Sequence, residues 1–130
     1  MFATLRTLFD GASARAEDRV KDTFAVELID QKIRESEGQL KAAKSTLASL
    51  IQRHRSEQRQ LETLNNRVKT MTTRATEALK ADRQDMALQA ADAIATMENE
   101  ALLRQQTVDR LDMQVMRLRG SVETAHRRGV

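Results

Sequence analysis

The chain has 130 residues, a net charge of +3, a pI near 9.7 and 32% charged residues, yet no Pro, Cys, Trp or Tyr and only three Phe. This excludes disulfides and thiolate metal sites, and so few large side chains argue against a globular core. Long exposed helices that share a narrow apolar seam fit it better.

No alternating β-branched run is bounded by Gly or Pro, so the fold class is all-α. No apolar run approaches the roughly 18–20 residues of a membrane span, and no signal-peptide core is present, so the chain reads as soluble and cytoplasmic.

Residues 1–22 form the first predicted element, an amphipathic helix. At about 100° per residue, Phe2, Leu5, Leu8, Phe9, Ala12, Ala16 and Val20 share one face, broken only by Arg19. Such a face packs against the hairpin or a second subunit, or lies in a bilayer interface. The pattern alone favours packing. Phe2, Leu5, Leu8 and Phe9 are the membrane-binding candidates.

The second element is an antiparallel coiled-coil hairpin over 23–130, with its turn near 81–84. In its first arm Val26, Ile33, Leu40, Leu47, His54, Leu61, Val68 and Ala75 recur every seven residues. Ile29, Ser36, Ala43, Leu50, Glu57, Leu64, Met71 and Ala78 follow three positions behind. These are a and d sites. In the second arm Ala87, Ile94, Ala101, Val108, Val115 and Val122 take a, while Ala90, Met97, Arg104, Leu111, Leu118 and Ala125 take d. The two frames are out of phase, which a turn between them explains.

Pairing Ala78 with Ala87 seats Met71 on Ile94, Val68 on Met97, His54 on Leu111, Leu50 on Val115 and Leu40 on Ala125. The turn then falls within Ala81, Asp82, Arg83, Gln84 and Asp85. Asp82 is the expected N-cap of the second arm, and Asp85 places negative charge in its first turn. Gly38 and Gly120 fall at f positions on the solvent side, and Gly129 suits a helix stop. In this register Val26, Ile29 and Ile33 face nothing in the same chain, which makes them self-association candidates.

Three polar residues interrupt the seam. His54, opposite Leu111, reads as a tolerated core histidine before a pH sensor or ligand. Glu57 and Arg104 lie one turn apart on opposite arms. An ion pair that specifies register is preferred to two independently snorkelling side chains.

The basic surplus is spread along the first arm without a compact patch or stacking aromatics, so no nucleic-acid partner is expected. No nucleophile–His pair, glycine-rich phosphate loop or metal-ligand spacing is present. The reading is of a non-enzyme with no cofactor and no metal.

The tip carries a resemblance. Ala78-Leu79-Lys80-Ala81-Asp82-Arg83-Gln84-Asp85-Met86-Ala87 is similar to the Ala-Leu, two residues, Gly-Arg-Glu-Asp-Leu-Ala pattern of the phage-shock protein A and vesicle-inducing protein family. That family is the bacterial branch of the ESCRT-III membrane-remodelling superfamily. Asp82 replaces the usual Gly, Gln84 the usual Glu and Met86 the usual Leu. The N-terminal helix and arm lengths agree with the same layout.

The resemblance implies a stress-response, membrane-maintenance scaffold. It would be peripheral to the inner membrane on the cytoplasmic side, bind an anionic membrane surface and form homo-oligomers. It also implies, as the alternative function, a hairpin that binds and restrains an AAA+ transcription activator without a direct membrane role. Family members carry further helices after the hairpin, whereas this sequence stops at Val130, as a fragment or a short variant. Rod or ring assembly is therefore not implied.

Overall fold

A computed structural model describes residues 2–129, and for Phe2 the backbone only. Among the described residues there are two helices and no strand: α1, Phe2–Lys80, and α2, Gln84–Arg127. Their lengths follow from composition. Pro is absent, and no Gly lies between Gly38 and Gly120, so nothing removes a backbone donor or adds glycine's entropy cost there. Many Thr hydroxyls, including those of Thr63, Thr72 and Thr76, donate to the carbonyl four residues back and are satisfied within the helix.

Two compact units are present: Met1–Ala42 with Ala125–Val130, and Ala43–Thr124. In the second unit, every a and d position from Ala43 to Ala78 and from Ala87 to Val122 is buried or half-buried. Leu61, Leu64, Ala87, Ala90, Val108, Leu111 and Val115 form its core, with Leu111 only 1% exposed. Each large apolar side chain so enclosed contributes about 1.5–3 kcal/mol. Polar contacts across the seam report the register independently. Arg104 reaches Glu57 and Gln60, and His54 approaches Asp112, the neighbour of its expected partner Leu111. Within this unit the structure shows the expected antiparallel pairing.

The first unit is built differently. Ser36, Leu40 and Ala125 are half-buried, but before Ser36 every described side chain is exposed. α1 passes unbroken through residues 22 and 23, where a boundary between two elements was expected. The Thr23 hydroxyl donates to the Arg19 carbonyl at 2.8 Å across that point. No Gly or Pro lies between Ala12 and Glu37, so nothing stops the helix, and the N-terminal segment is the first part of α1.

The turn consists of Ala81, Asp82 and Arg83, while Gln84 and Asp85 already belong to the first turn of α2. The Arg83 amide donates to the Ala78 carbonyl at 2.8 Å and the Asp82 amide to the Leu79 carbonyl at 3.1 Å. This bond pair is a Schellman closure of α1. Asp82 is its left-handed residue, at φ 57°. The expected N-cap role of Asp82 is therefore corrected. Arg83 holds the cap position, its carbonyl accepting from the Ala87 amide at 3.0 Å. Asp82 is committed to ending α1, and its carboxylate makes no hydrogen bond among the described residues.

Candidate functional site

The candidate site is the apolar surface that the first unit leaves uncovered. Leu5, Leu8 and Phe9 are 65%, 63% and 73% exposed; the Phe2 side chain lies outside the described residues. The helical period, not packing, holds these side chains on one face, because no second element covers them. Gly11 follows in the same stretch, with only the flexible end of Arg15 near the space a side chain would take.

Val26, Ile29 and Ile33 are 56%, 57% and 50% exposed. They continue the a and d seam beyond the last position that α2 covers. Phe24 and Leu28 are also exposed; with Val20 they make a spacing of four, the signal that would have revealed them in the sequence. The exposed apolar surface therefore extends well past residue 20.

Charges in this unit are mixed. Arg6, Asp10, Arg15, Glu17, Asp18, Arg19, Lys21 and Asp22 are all exposed. No group of His, Cys, Asp or Glu among the described residues could hold a metal ion. Nor is any helix among them long and apolar enough to cross a membrane. The surface can offer apolar contact and diffuse charge, and it holds no cluster suited to acid–base or metal chemistry.

The second unit carries the expected register pair. The Arg104 Nη1 lies 3.4 Å from Glu57 Oε2, the Arg104 Nε 3.3 Å from Glu100 Oε1, and the Arg104 Nη1 donates to Gln60 Oε1 at 2.6 Å. Gln60 and Glu100 were not singled out in the sequence, since both sit outside the a and d frame. Arg104 is thus held by three acceptors on two helices. Its side chain is still about one-third exposed, so the cluster directs pairing more than it adds stability. His54 Nε2 lies 3.8 Å from Asp112 Oδ1, and Asp112 is largely solvent-exposed. At the tip, Leu79, Met86 and Leu88 are exposed on either side of the turn.

The chain matches the model of the PspA/IM30 family over residues 1–128. The chain belongs to that family. Nothing among curated proteins or solved structures matched it. PspA/IM30 proteins are structural and regulatory, not enzymatic, and membership supports a stress-response scaffold of the PspA kind. The match spans residues of both units.

Proposed function

We propose that this PspA/IM30 protein is a peripheral membrane scaffold. It attaches to an anionic membrane surface through the first turns of α1 and associates with further copies through Val26, Ile29 and Ile33. The observation that carries the reading is the exposure of Leu5, Leu8 and Phe9 on the first turns of α1, a stretch on which every described side chain faces solvent. Full transfer of each would be worth about 1.5–3 kcal/mol. Interfacial insertion recovers part of that, so a single chain binds weakly and reversibly, and several bound together hold more firmly.

Co-sedimentation with anionic liposomes tests this. The full chain should pellet with them, and a chain lacking residues 1–22 should not. Changing Phe2 and Phe9 to Ser or Glu should abolish binding while helical content stays nearly constant. Changing Arg6 should matter less and mainly at low salt, since one basic residue at such a surface contributes about 1 kcal/mol. Undiminished binding by the Phe2/Phe9 variant would overturn the attachment.

The exposure of Leu79, Met86 and Leu88 beside the turn favours a second reading. In it the tip docks on a protein regulator such as an AAA+ transcription activator. Changing those three residues to Ser should then relieve inhibition of the activator's ATPase without affecting liposome binding. Unchanged inhibition would remove the tip from that role.

A further inference from the structure

The heptad frame of α1 does not end at Val26. Because α1 is one uninterrupted helix, the frame counts back through Asp22, Arg19, Arg15, Ala12, Leu8 and Leu5. All of these positions are exposed, as are Val26, Ile29 and Ile33. The seam thus has an apolar block at each end and a charged centre. Among the described residues, Arg19 and Asp22 take part in no ion pair.

Antiparallel alignment against an identical seam gives a self-complementary set of layers. Leu8 meets Ile33, Ala12 meets Ile29, Arg15 meets Val26 and Arg19 meets Asp22, and two-fold symmetry repeats each layer. The apolar stem of Arg15 lies along Val26 while its guanidinium reaches solvent. Alternative alignments are worse on charge. Sliding one heptad one way sets Arg19 against Arg15, and sliding the other way sets Arg19 on Ile29 and Asp22 on Val26. A parallel in-register pair stacks Arg15, Arg19 and Asp22 each on itself. Like charges at facing positions are costly, so the charged centre selects one register.

We propose that in solution, away from a membrane, a second copy of this chain covers the Leu5–Ile33 seam of α1 in this antiparallel register, and that Leu5 and Leu8 leave it when the first turns insert into lipid. The proposal rests on Val26, Ile29 and Ile33 being a self-association surface, and it names the occupant and alignment. The seam also runs on directly from the one that α2 covers in the same chain. At their junction Ile29, Lys32, Ile33, Ser36, Glu37 and Gly129 line an open notch of about 250 Å³. The second copy's Leu5, opposite Ser36, comes to lie at this notch. Phe9 stands off the seam, at a flanking position.

Charge reversal in the full-length chain tests the register, with sedimentation velocity as the readout and circular dichroism to check helicity. Arg19→Asp and Asp22→Arg should each weaken self-association by about tenfold or more, because each puts like charges together twice. An equimolar mixture of the two variants should associate like the parent, since their heterodimer pairs Asp with Arg at both central layers. The double variant should recover as well. Only the mixture excludes a within-chain origin for the loss, because neither chain then carries both signs.

An unmodified chain that stays monomeric at all concentrations overturns both the self-association surface and this register. Association that the single variants leave unchanged overturns the register alone, as does loss that mixing fails to restore. A parent that is monomeric in solution, with variants that lose liposome binding, would assign the seam to lipid and overturn the proposal.

Discussion

The same heptad code meets two fates in this molecule. Between Ala43 and Thr124 each a and d residue of α1 finds α2 opposite it and is covered. Between Leu5 and Ile33 the frame can be counted on along the same helix, with Arg15, Arg19 and Asp22 at its centre, and its residues stand in solvent. At Ile29 and Ile33 the difference lies in the presence of a partner and not in residue type, since both are as apolar as Leu61 and Leu64. A heptad stripe therefore marks where a partner is needed, and only the pairing shows whether the chain supplies it.

Cross-linking gives the sharpest test of that contrast. The chain lacks Cys, so a Leu50→Cys/Val115→Cys pair should form a disulfide within one chain, because facing seam positions bring Cβ atoms close. A Leu50→Cys/Ile94→Cys pair should not. Efficient bridging of the second pair alone, read on non-reducing gels, would break the register.

Truncation energies should separate the two regions next. Leu111→Ala removes a side chain that is 1% exposed and should cost about 2–4 kcal/mol in urea unfolding. Changing Ile29 to Ala should cost no more than about 0.5 kcal/mol in dilute solution, since its side chain already faces water. Similar losses at both sites would mean that Ile29 is covered.

A smaller gain is expected at Gly120, where nothing lies within 4 Å of an added Cβ. Gly120→Ala should stabilise the chain by about 0.5–1 kcal/mol, measured as a rise in the urea midpoint. Asp82→Gly should stabilise by a few tenths up to about 1 kcal/mol, because Asp82 holds a left-handed conformation that Gly adopts freely. A loss there would show that the Asp82 carboxylate contributes more to the tip than its backbone conformation costs.

The sequence by itself determined the seam. Burial in a two-helix pair follows a period that can be counted, and the absence of Pro, with no Gly between Gly38 and Gly120, allowed helices long enough to express it. The contact between Glu57 and Arg104 was legible for the same reason, since two long side chains a turn apart on facing arms can meet. The tertiary structure decided what depends on the backbone path. Whether Asp82 would close α1 or cap α2 was open in one dimension, because Asp serves at either end of a helix. The Schellman bonds from Asp82 and Arg83 settled it. The division expected after residue 22 did not become a break, since no Gly or Pro between Ala12 and Glu37 interrupts the hydrogen bonds of α1. Gln60 and Glu100 joined Arg104 from outside the seam, because a guanidinium offers five donors in a plane wider than one heptad position.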